Sequence, residues 1–259
     1  MLASGLLELA LATGDAEYAV TARSLIDGAM GAADRADTAD TADTADTADT
    51  VLDDAGTASV VSPLPFRAPG GADPVLAARG LALDDDPGEG AMPSGVSACA
   101  HAAWTLWLLG AGDRYRVAAE AAMRRVAGAA IARPIAFGST LRLMARSVAP
   151  IVQLVTIVPD GPRAAGAGEL AIGEAETVEA ATVELVRATR GHEASVTAIV
   201  TESQARAFAD AGFELFEARG LAQGRAAAYR CREFVCAMPV VDADALKALT
   251  TTPDDASPV

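Results

Sequence analysis

The sequence predicts a mainly α chain with a small α/β part. Three observations carry this. Two stretches repeat one αα-hairpin pattern, the helical texture stops at Pro150, and a β-branched run follows at once. Strict helical spacing of apolar residues reads as helix, and a continuous β-branched run reads as a buried strand.

The clearest hairpin is Ala91–Gly128. Pro93-Ser94-Gly95 is a turn and helix entry, with Ser94 or Ser97 available to cap free N–H groups. From Ala98 to Leu109 there is no Gly or Pro, and Trp104 and Leu108 fall at helical spacing. Gly110-Ala111-Gly112 stops that helix, because glycine takes the left-handed exit conformation without steric cost. Asp113 reads as the cap of a second helix with Tyr115, Ala119 and Ala122 on its apolar stripe.

Leu2–Met30 repeats the unit: Leu6, Leu9 and Ala10, a Thr13-Gly14-Asp15 corner, then Tyr18, Ala22, Leu25 and Ile26. Tyr18 aligns with Tyr115, with one residue's difference in the preceding gap. Such hairpins bury their apolar faces by stacking into a solenoid or closing an α/α toroid. Two are too few for a ring, so an incomplete toroid and missing upstream sequence are expected.

Between the hairpins, Ala36–Thr50 is five copies of Ala-Asp-Thr. Residues 34–54 hold eight Asp against one Arg, and so carry −7 of the net −15. A disordered acidic insertion over about 34–73 is expected, since it has too little apolar surface to offset ordering. It lacks the Gly turn and terminal Glu of a calcium loop. Asp84-Asp85-Asp86 and Glu89 precede the Pro93 turn, as acidic site residues or as a solvated run.

Gly138–Val148 reads as a helix with Leu141, Met144 and Ala145 inward, ended by Pro150. Ile151–Val158 is a strand, Glu176–Arg190 an amphipathic helix and Ser195–Thr201 a second strand, which together make a βαβ unit. Ala226–Cys231 adds a strand, and Asp242 caps a last helix to Leu249. The domain reading is residues 1–149 as a partial toroid, 150–250 as a small α/β appendage and 251–259 as a frayed tail.

Composition narrows the function. The net charge of −15 argues against nucleic acid and anionic membrane surfaces as partners. No apolar run reaches bilayer length, and Met1–Ala12 lacks the basic start of a signal peptide. Three cysteines, an odd number, point to a reducing cytoplasm.

The chemical candidates are few. His101 lies three residues before Trp104 on one helix and is a candidate acid or base, as is Glu89; a packed histidine is the competing reading. Ser94, Trp104 and Trp107 are candidate ligand contacts, the tryptophans as stacking platforms for sugar rings or as core. Glu120 and Asp113 do not form a convincing glycosidase pair. Cys231 and Cys236 face opposite sides on one strand, but a turn at Arg232-Glu233 brings them together as a redox pair. With His192 they would be half a metal site, whereas a structural metal needs about four ligands. Packed thiols remain the favoured reading. Gly166-Ala-Gly168 is a loose dinucleotide fingerprint, with Gly173 interrupting its helix. No cofactor and no metal are called for.

PSGVSACA, GAGDRYRVAAEAAM, RPIAFGSTL, APIVQLVTIVPD and AAAYRCREFVCAMPVVDADAL occur in that order. Together they resemble the C-terminal part of the thioredoxin-domain-containing family that includes bacterial YyaL and the mammalian spermatogenesis-associated homologue. The resemblance covers about residues 1–31 and 74–249, and it implies the last part of a six-hairpin glycosidase-like toroid plus an appendage. Val96 stands where the family commonly has Asn, and the chain has no Cys-x-x-Cys. Thioredoxin-type exchange therefore has no site here. The resemblance implies a noncatalytic scaffold or partner surface, or a carbohydrate-active toroid whose cleft needs further hairpins. The implied partners are a thioredoxin-like domain or the missing hairpins, and the apolar helix faces that an incomplete repeat leaves exposed predict self-association.

Overall fold

The computed structural model describes residues 1–43, 50–52, 58–60, 64–69, 75, 78–79, 88–161 and 172–251. The chain is mainly α with a small α/β part. It divides into two compact units. One holds Met1–Leu7, Ala19–Trp107 and Gly112–Ala149; the other holds Glu8–Tyr18, Leu108–Ala111 and Pro150–Val259.

The first unit is built from helices. Two hairpins contribute to it, α1 (Leu2–Thr13) with α2 (Ala16–Asp43), and α3 (Gly95–Leu108) with α4 (Asp113–Ala132), while their corners, Glu8–Tyr18 and Leu108–Ala111, are counted with the second unit. A short 3-10 turn, Pro134–Ala136, leads into α5 (Gly138–Val148). Ser94 caps α3 as read, its Oγ accepting from Ser97 N–H at 3.1 Å. Asp113 does not cap α4. The cap is Gly112, with φ of +120°, and Asp113 is the first helical residue, its carboxylate held by Arg116 at 2.9 Å. The Arg116 and Trp107 side chains hold the Asp113 carboxyl below its ordinary range, the bond from Arg116 most of all.

Tyr115 is fully buried, and its hydroxyl donates to Asp27 Oδ1 at 2.7 Å, tying α4 to α2. Burial, with the Asp27 carboxylate second, pushes that phenol up to about 12. The inward face of α5 is turned from the expected one: Thr140 and Leu143 are buried while Ala145 is exposed. The reason is a polar anchor at the helix's start, described below, that fixes its rotation.

The insertion also departs from expectation. α2 continues to Asp43, through the first Ala-Asp-Thr copies. Alanine is the best helix former, and a helix already nucleated by its packed first half propagates at little cost. Thr50–Leu52 (β1) and Ala58–Val60 (β2) pair antiparallel, and Leu64 and Phe66 are buried, with Arg67 N–H donating to Ala29 O at 3.0 Å. Residues 44–49, 53–57, 61–63 and 70–73 of the expected insertion, Asp84–Asp86, the Gly166–Gly168 motif and the tail beyond residue 251 lie outside the described residues.

The second unit centres on a four-stranded sheet. Its strands are β3 (Val152–Val158), β4 (Val196–Thr201), β5 (Ala227–Arg232) and β6 (Val235–Cys236), in the order β4-β3-β5-β6. β3 and β4 are parallel, joined through α6 (Ile172–Arg190); β5 is antiparallel to both β3 and β6. Central β3 is buried on both faces, as its unbroken apolar run requires. Leu154 packs with Leu185 of α6, Ala228 of β5 and Leu246 of α8 (Ala243–Thr251). Asp242 caps α8 as read, accepting from Ala245 N–H at 2.7 Å.

α7 (Glu202–Asp210) is an element the sequence reading missed. Thr201 and Gln204 form a full capping box at its start. Phe208 of α7 stacks on Phe216 at 4.4 Å and meets Phe213 edge-on at 5.8 Å, all three fully buried.

Both hairpin corners belong to this unit. Gln204 Nε2 donates to Thr13 O at 3.0 Å, and buried Gln153 Nε2 donates to Leu108 O at 2.6 Å. Gly110 has φ of +80°, and a Cβ there would lie 2.8 Å from Glu214 Cβ and 3.0 Å from two backbone nitrogens. Backbone cannot swing aside as a side-chain tip can. Gly110→Ala is therefore expected to lose about 2–3 kcal/mol, from left-handed strain and the clash together. Urea unfolding would measure it, and a loss below about 0.5 kcal/mol would contradict the close approach.

Candidate functional site

Two sequence candidates, Glu89 and His101, meet at the start of α5. Glu89 is buried. Its Oε2 accepts from Ser139 N–H at 2.6 Å, and its Oε1 accepts from Thr140 N–H at 3.0 Å and Thr140 Oγ1 at 2.8 Å. Glu89 N–H donates to Ala136 O at 2.9 Å, which locks the approach. The carboxylate thus covers the free N–H groups of α5, where the helix dipole favours negative charge. The solvated-run reading of Glu89 gives way to this capping role.

His101 approaches the same turn from α3. Its Nε2 lies 2.9 Å from Ser139 O, and because a carbonyl only accepts, Nε2 carries the proton. Burial is the main cause holding the imidazole below its ordinary value, with the bond to Ser139 opposing and Arg142 and Arg146 adding to the shift. Ser139 Oγ is buried without a hydrogen-bond partner, but the histidine contact is to the Ser139 backbone. The cluster has the composition of a Ser-His-Glu site without the nucleophile-to-base bond such a site needs.

The sign of the histidine shift gives a pH dependence. Unfolded His101 titrates near 6.5, above its folded value, so the unfolded state binds more protons in between. The stabilisation from neutral His101 is fully present above about pH 6.5 and is lost as pH falls through the folded value. The melting temperature is expected to drop from about pH 7 to about pH 5, with a shallower drop in His101→Gln. Equal slopes in the two proteins would remove His101 from the effect.

Ser94 is occupied as the α3 cap and also donates to Ser97 Oγ. Trp104 is only 5% exposed, so its ring faces are core rather than a platform. Trp107 is half-buried and lies 4.6 Å from Trp104, with the Arg116 guanidinium 5.7 Å above its ring. A cleft of about 220 Å³ beside Trp104 is lined by Glu120, Met123, Arg124 and Ser147. Glu120 is held there by Arg116 at 3.0 Å and Arg124 at 3.5 Å.

Cys231 and Cys236 are joined. They face each other across the β5–β6 hairpin, whose two-residue loop is Glu233-Phe234, and form a disulfide. Packed separate thiols are thereby corrected: the turn, one residue beyond the expected position, reverses the chain. Both loop residues have positive φ, +46° and +66°, as the favoured hairpin turn requires. Glu233 holds the loop by accepting from Ile151 N–H at 2.7 Å and donating its own N–H to Ile151 O at 3.0 Å. Arg219 Nη2 lies 2.8 Å from Cys236 Sγ, and its guanidinium sits 5.0 Å above the Tyr229 ring. Cys99 is a free thiol that burial pushes up, away from reactivity.

Among the described residues no group of three or more His, Cys, Asp or Glu side chains is placed to hold a metal, and no helix is long and apolar enough to cross a membrane. Comparison with family models, with curated proteins and with solved structures returned no match.

Proposed function

We propose that this chain is a noncatalytic segment that serves as a scaffold or partner surface, in the manner of the C-terminal part of the thioredoxin-domain-containing proteins it resembles. The observation carrying this is the use of Glu89. Both of its oxygens are taken by α5, and His101 is taken by the same turn. The two groups best suited to acid–base work thus hold a helix in place. A partner surface also draws support from exposed apolar side chains on the same unit: Ile131 is 74% exposed, Ile135 98% and Val148 85%. The matching partners are a thioredoxin-like domain, further toroid hairpins or a second copy.

The test is light scattering on the purified chain with an apolar dye. Self-association and dye binding that fall in an Ile131→Asp, Ile135→Asp double variant support the reading. A monomer with a sharp thermal transition and no dye binding overturns it.

A second reading, part of a carbohydrate-directed toroid, rests on the cleft beside Trp104 with its Glu120 carboxylate. Saturable, sugar-dependent change in tryptophan fluorescence, lost in Glu120→Gln, would favour it. A flat response to a panel of neutral and acidic sugars would end it.

A further inference from the structure

The cysteine pair has no role in either reading above, and it lies in the other unit from Glu89 and His101. Cys231 on β5 and Cys236 on β6 stand directly opposite in the register of the hairpin. Their bond therefore spans a sequence separation of only five. A disulfide stabilises mainly by restricting the unfolded chain, and less so the shorter the loop it closes. This bond is poorly placed as a staple for the whole fold. The hairpin has other anchors, in the two bonds of Glu233 to Ile151 and in Ala237 N–H donating to Arg230 O at 3.0 Å.

The two cysteines differ in access. Cys231 is 1% exposed, on the strand next to central β3. Cys236 is only half-buried, on edge strand β6 between exposed Val235 and exposed Ala237. A guanidinium stands at the pair. Arg219 Nη2 donates to Cys236 Sγ at 2.8 Å and lies 3.9 Å from Cys231 Sγ. β5 sets it there: the Arg219 guanidinium lies over the Tyr229 ring, and the Tyr229 hydroxyl donates to Gly220 O at 2.9 Å. Exchange runs through attack of a thiolate on a disulfide sulfur, at a rate that depends on which sulfur can be reached.

We propose that Cys231–Cys236 is a thiol–disulfide exchange site whose substrate is a dithiol, with Cys236 as the sulfur attacked. One thiolate of the dithiol attacks Cys236 Sγ and forms a mixed disulfide there. The Cys231–Cys236 bond breaks, and its electron pair leaves on Cys231 Sγ, which takes up a proton. The second thiolate then attacks the dithiol's own sulfur in the mixed disulfide, and the Cys236 sulfur leaves and is protonated. The dithiol departs as a disulfide, having given two electrons and two protons to the chain. Arg219 draws the anionic nucleophile to the reachable sulfur. The chain has no Cys-x-x-Cys, and this pair meets across a turn instead.

The experiment equilibrates the full chain in mixtures of reduced and oxidised glutathione, alkylates it in denaturant and counts labels by mass. With three cysteines and Cys99 free, the oxidised form takes one label and the reduced form three. Millimolar reduced glutathione is expected to move the chain from one label to three with its circular dichroism unchanged, and oxidised glutathione to return it to one. A structural disulfide would resist that pool. Peptide masses then locate the attack. Cys236 in folded Cys231→Ser should form a mixed disulfide with oxidised glutathione about tenfold faster than Cys231 does in folded Cys236→Ser. Arg219→Gln should slow reduction by dithiothreitol about fivefold, and Arg219→Lys should restore most of the rate. A bond that stays closed in millimolar reduced glutathione, three labels even in the oxidised buffer, or reduction that takes the native spectrum with it would each overturn the proposal. So would equal reactivity of the two serine variants, or full-speed reduction of folded Arg219→Gln.

Discussion

Glu89→Ala is expected to destabilise the first unit by about 3 kcal/mol, because two backbone donors at the start of α5 lose their charged acceptor in a buried setting. The Thr140 hydroxyl loses its partner as well. The dipole contribution, about 0.5–1 kcal/mol, disappears with the charge. In a unit of this size the melting point should fall by roughly 6–12 °C. Glu89→Gln keeps one acceptor oxygen but turns an amide toward an N–H donor, so it should recover less than half the loss. The same pair of variants bears on function. A merely structural Glu89 leaves ligand affinities of the folded protein unchanged, whereas an acid–base role would abolish turnover in folded Glu89→Gln. A melting point for Glu89→Ala within a degree or so of the parent would remove the capping account.

Phe208→Ala is expected to cost still more, about 4 kcal/mol. The ring is fully buried, stacked on Phe216 and edge-on to Phe213, so deletion empties a ring-sized volume that two other rigid rings cannot refill. Phe208→Leu fills most of that space and should lose well under half as much. Denaturant unfolding of the three proteins tests the ordering. Similar losses for Leu and Ala would mean that ring geometry, rather than cavity volume, dominates.

The parts legible in the sequence are those specified by neighbouring residues. Ser94 and Asp242 cap helices a few residues on, and the run from Ile151 to Val158 is apolar throughout because both its faces are covered. α7 had an equally local mark, Thr201 followed three residues later by Gln204, and that signature alone would have revealed it. Asp113 misled because it stands beside a glycine that takes the cap position itself.

The site was harder to read because its partners are distant in the chain. Glu89 serves a helix beginning about fifty residues later, so spacing gives no hint of it. The Cys231–Cys236 bond depended on two non-glycine residues adopting positive φ, which composition argues against and the tertiary contact of Glu233 with Ile151 supplies.

That hairpin also settles how the sheet ends. β5 would otherwise offer a row of unpaired N–H and C=O groups to any extended chain, the common starting point of runaway strand addition. β6 covers only two residues of it, and a separate bridge between Ala228 and Val240 covers more. A strand so short would fray readily on hydrogen bonds alone, and the disulfide keeps it from leaving. Reduction would then be felt first as a gain in intermolecular stickiness, with fibril-forming propensity rising before any loss of the native fold.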